Sequence, residues 1–236
     1  MRVASIVVVG AGRMGKAVLA CAGDTEHRIV AVVRRTDVPV GAGGPPVYTD
    51  IGAALRDVAP SVVLDFSSAR DAEQRIRTVA GHGCPLVEGT TALDAGAMRA
   101  LVEASARIPV VEAPNTSPGL ARLGEALERI LRKPRTQWDI AVTDRHHRDK
   151  KDAPSGTALF LARLIAGITG REPAVASYRQ GGVVGEHTIH LSGTEEELVL
   201  VHRALDRSVF ARGALLAAGF AAAAPPGHYG MRDALG

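Results

Sequence analysis

The densest run of chemically capable residues in this chain is His146-His147-Arg148-Asp149-Lys150-Lys151-Asp152-Ala153-Pro154-Ser155-Gly156-Thr157. Histidine exchanges a proton near neutral pH, so His146 or His147 can serve as a proton donor. Lys150 adds positive charge beside them. Ser155-Gly156-Thr157 reads as a helix start, and the Gly156 and Thr157 amides there can grip a carboxylate. The combination suits reduction of an anionic substrate, with protonation following hydride arrival. A lone histidine is usually structural, but adjacent histidines followed by a lysine and a helix start are hard to explain as packing. The rival reading is a metal site. Adjacent histidines point in different directions on a regular element and no third ligand stands at metal spacing, so the expectation is no metal.

A second run, Gly10-Ala11-Gly12-Arg13-Met14-Gly15, follows a strand-like segment and opens a helical one. That is the context of a dinucleotide fingerprint. Gly10 makes the tight turn, Gly12 lets the backbone approach a pyrophosphate, and Gly15 permits close helix–strand packing. After the next strand, where an acidic residue usually holds the ribose of NAD, stand Arg34-Arg35-Thr36. Two guanidiniums can bind a 2′-phosphate, which favours NADPH over NADH. A solvated basic loop is the alternative reading of the same residues.

These residues need elements to hold them. Val3 to Val9, Ile29 to Val33, Val62 to Phe66, Leu86-Val87 and Pro109 to Val111 are short apolar runs of buried-strand type. Helical segments follow Gly15, near Asp71 to Ala80 and near Leu93 to Ala106. This βαβ rhythm predicts a Rossmann-type doubly wound parallel sheet. The rhythm changes after Asn115. Ser117-Pro118 is a helix start of N-cap and first-turn proline. Leu120, Leu123, Leu127, Ile130 and Leu131 then share one face. Gln137 to Val142 reads as a strand, and a helix runs from Ser155 to about Ile168. Three strand-like runs follow, near Val175 to Arg179, Val184 to Leu191 and Leu198 to Leu205, without long helices between them. They imply a mixed or antiparallel sheet in an α+β domain. The expected division is a dinucleotide-binding domain over 1–116, completed by a final helix and tail over about 208–236, and a substrate-binding and oligomerisation domain over 117–207.

Composition narrows the function classes. Of 236 residues, 46% are hydrophobic but only four Phe, three Tyr and one Trp are aromatic. The core must be aliphatic, and there are too few rings to stack single-stranded nucleic acid. A net charge of +3 suits an acidic small molecule and shows no nucleic-acid footprint. Cys21 and Cys84 stand in unrelated contexts, which fits a reduced cytoplasmic compartment. The longest apolar stretch, Ala214 to Pro226, is too short and too rich in Gly and Pro to span a bilayer, so no membrane partner is expected.

The stretch His146 to Thr157 resembles the signature of the 4-hydroxy-tetrahydrodipicolinate reductase (dihydrodipicolinate reductase) family. The resemblance extends along most of the chain. It takes in the glycine loop, Asp65-Phe66-Ser67, Gly89-Thr90-Thr91 and Ala113-Pro114-Asn115-Thr116-Ser117. It continues through Gly185-Glu186-His187, Phe210 to Ala214 and Tyr229 to Asp233. The resemblance implies a Rossmann domain plus an α+β domain whose sheet builds a homotetramer. It implies NAD(P)H-dependent reduction of a small dicarboxylate heterocycle, derived from 4-hydroxy-tetrahydrodipicolinate, in lysine and diaminopimelate biosynthesis. By position it makes His146 the proton donor or acceptor, Lys150 the second donor and His147 a substrate ligand, with Gly156 and Thr157 on a carboxylate. The cofactor would be lined by Gly10, Ala11, Gly12, Arg13, Met14, Arg34, Arg35, Phe66, Gly89, Thr90, Thr91, Ala113, Pro114, Asn115 and Thr116.

The chain departs from the family pattern in several places. Its loop is a true GxGxxG, one residue shorter than usual, and Arg34 replaces an acidic residue. Ala92 stands where glycine usually follows GTT, and Glu88 and Glu112 precede two cofactor loops where neutral residues are usual. The Gly170 to Arg179 segment is also short. Two alternatives therefore stay open: a divergent paralogue reducing another cyclic imine or a semialdehyde, and a non-catalytic nucleotide-sensing protein.

Overall fold

The computed structural model describes residues 3–36, 43–132 and 138–236. Two compact units emerge, Met1–Thr116 with Ser208–Gly236, and Ser117–Arg207.

The first unit is built on a seven-stranded sheet. In chain order its elements are β1 (Ser5–Val9), α1 (Arg13–Ala22), β2 (Arg28–Val33), β3 (Val47–Tyr48), α2 (Ile51–Val58), β4 (Val62–Asp65) and α3 (Ala72–Gly81). Then come β5 (Leu86–Glu88), α4 (Ala95–Ser105) and β6 (Pro109–Glu112). The strand order is β11-β6-β5-β4-β1-β2-β3, where β11 is Gly227–Tyr229 near the chain's end. Every neighbouring pair is parallel. The sheet is therefore doubly wound, with its order reversing beside β1, and ligands of such sheets bind at the carboxyl ends of the strands there. Val7, Val8, Val62, Val63, Leu64 and Val87 have no exposed surface, as strands covered on both faces require.

The core is aliphatic, as the scarcity of aromatics demands. Val7, Val63, Ile76, Leu86, Leu101 and Ile108 belong to one buried cluster on one side of the sheet. The helix after the second unit, α7 (Ser208–Ala221), packs on α1 and on β4, β5 and β6. Its buried positions are mainly alanine and glycine, which allow close helix–helix and helix–strand approach.

The second unit contains α5 (Pro118–Leu131), β7 (Asp139–His146), α6 (Gly156–Thr169), β8 (Ala174–Arg179), β9 (Gly185–Ser192) and β10 (Glu197–Ala204). The four strands lie in the order β10-β9-β7-β8. β7 and β8 run parallel across the α6 connection, and the other pairs are antiparallel. The sheet is thus mixed. Leu120, Leu123, Leu127, Leu161, Ile165, Val142, Ile189 and Leu191 pack α5 and α6 onto one face. The expected strand start at Gln137 lies outside the described residues, and the described strand begins at Asp139. Among the described residues no helix is long and apolar enough to cross a membrane.

Candidate active site

In the first unit the glycine loop turns β1 into α1. Gly10 has φ +96°, and a Cβ there would lie 2.7 Å from the Phe66 carbonyl oxygen, so glycine is required. A Cβ on Gly15 would lie 1.9 Å from the Gly10 carbonyl oxygen, which fixes the packing of helix on turn. Gly12 differs: a Cβ would meet nothing within 4 Å. It is also the N-cap of α1, with no side chain capping the first-turn amides. Open space above uncapped amides at a helix start fits the phosphates of a dinucleotide.

The other expected cofactor residues gather along the same sheet edge. Arg34 and Arg35 follow β2, Phe66 follows β4, Gly89, Thr90 and Thr91 follow β5, and Ala113 to Thr116 follow β6. Gly89 is pressed onto the Phe66 ring, where a Cβ would fall 2.1 Å from a ring carbon. Thr116 is buried and its hydroxyl donates to the Phe210 carbonyl at 2.7 Å, so it ties the loop to α7. Ala92 has φ +57°, a left-handed conformation that explains the usual glycine after this motif.

The acidic residues at this edge fall into different environments. Asp65 accepts from the Ser67 amide at 2.9 Å and from Arg75 Nε at 2.7 Å. Glu112 pairs with His228 at 3.0 Å. Glu88 is buried and its Oε1 accepts the Thr90 amide at 2.8 Å. Burial, and then the charge of Asp65, push its carboxyl up to about 8 against the pull of Thr90 and Arg75.

In the second unit, β7 delivers His146 at its last position, with His147 just beyond it and Lys150 in the following loop. Asp144 stands two residues before His146 on the strand and so projects to the same face. Asp144 is fully buried. Its Oδ1 lies 3.1 Å from His146 Nδ1 and accepts from Arg179 at 2.6 Å. Its Oδ2 accepts from the Ser155 amide at 2.8 Å and the Ser177 hydroxyl at 2.9 Å. Burial alone would raise this carboxyl, but the Ser155 amide, Arg179, Ser177 and His146 together hold it at about 2. Asp144 is therefore ionised and can only accept, which places the Nδ1 proton on His146 and leaves Nε2 for other chemistry. Burial lowers the His146 pKa, Asp144 opposes that, and the Lys150 and Arg179 charges add to the lowering. Lys150 itself is held by both oxygens of Asp152, at 2.7 and 2.8 Å.

Ser155 is the N-cap of α6 and its hydroxyl accepts from the Ala158 amide at 3.1 Å. The same hydroxyl also hydrogen-bonds with His187 Nε2, 3.2 Å away. His187 is buried, stacks edge-on to His146 at 5.3 Å between ring centroids, and is held down to about 3 by burial and then by His146, His202 and Lys150, against the pull of Asp144. The helix start is thus locked from below by Asp144 and His187. Gly156 is exposed at its tip, where a Cβ would meet nothing. The structure brings His146, His147, Lys150, Gly156 and Thr157 onto adjacent segments of one unit. Asp144 and Arg179 are missing from the sequence reading, and His187 entered it only within a family motif, with no site role; all three support the site from the strands of this sheet. Asp144 carried a signal, its two-residue spacing from His146 on a strand. Arg179 carried none, because strand register alone brings it in, and His187 carried only its place in the Gly185-Glu186-His187 motif. Among the described residues, no group of three or more His, Cys, Asp or Glu is placed to hold a metal ion.

A doubly wound sheet with an open glycine turn, joined in one chain to a buried Asp–His pair at a helix start, defines a Rossmann-type oxidoreductase that uses a pyridine nucleotide. The chain belongs to the dihydrodipicolinate reductase family: residues 4–116 match the model "Dihydrodipicolinate reductase, N-terminus" and residues 120–235 the model "Dihydrodipicolinate reductase, C-terminus". The family serves lysine and diaminopimelate biosynthesis. A 4-hydroxy-tetrahydrodipicolinate reductase of Xanthomonas campestris pv. campestris (strain B100) is 40% identical over 233 residues, covering 97% of this chain and 96% of that protein. One of Anaeromyxobacter sp. (strain Fw109-5) is 37% identical over 263 residues, covering 98% and 97%. The fold also matches a dipicolinate-bound dihydrodipicolinate reductase from Paenisporosarcina sp. TG-14, with a TM-score of 0.81 at 20% identity and 99% coverage of both chains.

Proposed function

We propose that this chain reduces the dehydrated heterocycle derived from 4-hydroxy-tetrahydrodipicolinate to tetrahydrodipicolinate, using NADPH in preference to NADH. The observation that carries this reading is the Asp144–His146 pair beside the α6 start, in a chain that also holds an open dinucleotide turn.

The bound nicotinamide supplies the hydride. Gly10 to Met14 would hold its pyrophosphate, Gly89 to Thr91 and Ala113 to Thr116 would line the cofactor, and the charges of Arg34 and Arg35 would favour a 2′-phosphate. Gly156 and Thr157 offer backbone amides to one substrate carboxylate, while His147 and Lys150 offer cationic or donor groups to the rest. Reduction of a conjugated imine builds electron density on the ring, and His146 returns the proton. Its pKa is depressed in the free protein. A bound dicarboxylate adds negative charge nearby and raises it, so substrate binding itself loads the donor. Asp144 keeps the imidazole in one tautomer throughout.

The chain acts as a cytoplasmic homotetramer. Supporting this, one face of the second unit's sheet is covered by α5 and α6, while the other exposes Tyr178, Val199 and Val201. The direct assay supplies the condensation product of pyruvate and aspartate semialdehyde with NADPH or NADH and follows nicotinamide oxidation. Turnover with both, faster with NADPH, is expected. A folded, nucleotide-binding sample that oxidises neither sinks the assignment. A substrate panel of other cyclic imines and semialdehydes separates the paralogue reading.

A further inference from the structure

Glu88 has no part in the chemistry above, yet it stands at the root of a cofactor loop. Register places it beside Asp65 on β4 and Glu112 on β6, so three adjacent strands end in carboxylates. Two of these have charge partners: Asp65 has Arg75 of α3, and Glu112 has His228 of β11. Glu88 has no ion-pair partner among the described residues. It is 1% exposed, its Oε1 accepts the Thr90 amide at 2.8 Å, and its Oε2 is buried with no hydrogen-bond partner. Among the described residues, the elements packed on β5 pair no cation with it, although the Arg75 charge acts on it from beside Asp65. Arg75 is engaged by Asp65, Arg77 of α3 pairs with Glu73 and Glu103, and Arg212, the one charged residue of α7, faces Asp24 at 3.6 Å. A charge at Glu88 would be desolvated and would stand next to the Asp65 carboxylate.

We propose that Glu88 is a positioning residue that works as a neutral carboxylic acid, holding the Thr90 amide so that Gly89-Thr90-Thr91 is set to receive the cofactor. When Oε2–H gives its proton to water, the carboxylate must draw in solvent or leave its buried place. The Thr90 amide favours the charged form and opposes departure, but the desolvated charge beside Asp65 outweighs it; a carboxylate that leaves for water gives up the Thr90 contact and loosens the loop. Cofactor affinity therefore has an alkaline limit that belongs to this chain's own residue. The proposal rests on the reading of Gly89 to Thr91 as cofactor-lining.

Two measurements test it. In the full-length protein without ligand, the Thr90 amide resonance should titrate in a single step centred near pH 8 in the wild type and stay put in Glu88→Gln. Dissociation constants for NADH, which has no 2′-phosphate to titrate, should rise by about tenfold between pH 7 and 9 in the wild type. Glu88→Gln, which mimics the neutral acid, should bind within about twofold of wild type at pH 7 and show no alkaline limb. A wild-type affinity that is flat over this range, or a Thr90 shift that persists in the variant, overturns the proposal. If Glu88→Gln does not fold, the two wild-type profiles still decide it. A wild type that binds no nicotinamide dinucleotide at any pH refutes the cofactor reading instead, and the Thr90 titration then judges Glu88 by itself.

Discussion

Asp144 has no exposed surface and spends both oxygens on four partners, with Arg179 as the fixed cation among them. Asp144→Asn removes the charge but keeps the shape. It leaves the half-buried Arg179 beside a neutral amide, with the Tyr178 and Asp152 carbonyls as partners, so the cost falls at or below the low end of the roughly 3–5 kcal/mol for breaking a fully buried pair. It also removes the group that opposes the lowering of the His146 pKa. Urea unfolding should show the loss, and the His146 ring resonances should titrate at lower pH than in wild type. Lys150 makes the contrasting case. Among the described residues its side chain pairs with Asp152, two positions on, so Lys150→Ala disturbs little structure. On the proposed mechanism it lowers kcat by about 100-fold or more while dinucleotide affinity stays within about twofold, because the cofactor residues lie on other elements. Equal loss of cofactor binding would contradict the assigned role.

At the scale of elements, strand ends and helix starts place the chemistry, and the two glycines flanking the α1 start test this. Gly12→Ala adds a methyl group into open space at a negative φ, so the fold should lose no more than about 1 kcal/mol, the cost of a poorer N-cap. Its dinucleotide affinity should nevertheless fall at least about tenfold, because that space is where the pyrophosphate meets the amides. Gly15→Ala should fail in the opposite order: the methyl group strikes the Gly10 carbonyl and the protein is destabilised by several kcal/mol before any ligand is added. Thermal melts with and without NADPH separate the two. The parallel strands were legible because β1, β2, β4 and β6 are apolar runs punctuated by glycine or charge. β3, α2, β11 and α8 (Met231–Leu235) were not. β3 and β11 are two and three residues long, and neighbouring strands, not local pattern, make them strands. α2 is eight residues long, with an Asp50 cap that a reading tuned to longer periodic runs passes over. The candidate site divides in the same way. His146, His147 and Lys150 are contiguous and declare themselves in sequence, whereas the Asp144–Arg179 pair, separated by 35 positions, exists only because β7 and β8 are in register.

The whole molecule combines two buried titratable groups of opposite sense, one in each unit. His187 is held down to about 3 in the folded state, against 6.5 for the free side chain. Between those values the unfolded chain binds more protons, so the second unit gains stability as pH rises and holds it fully above about pH 6.5. Glu88 is pushed up to about 8, against 4.5. Here the folded chain binds more protons between the two values, so the first unit loses stability as pH rises from about 4.5 to 8. Each slope is at most about 1.4 kcal/mol per pH unit. Over pH 4.5–6.5 the slopes oppose one another in the whole chain, which should be most stable there. Outside that window the two units should fail separately, the second in acid and the first in alkali. Trp138, the single tryptophan, packs against the second unit's core and marks which calorimetric transition belongs to that unit. The transition it reports should move down as pH falls below 6.5 and stay level above it, while the other should move down as pH rises from about 4.5 to 8. His187→Gln should flatten the first response and Glu88→Gln the second, each leaving the other intact. Two transitions that shift together with pH in the wild type would show that these buried groups do not govern the stability of their units.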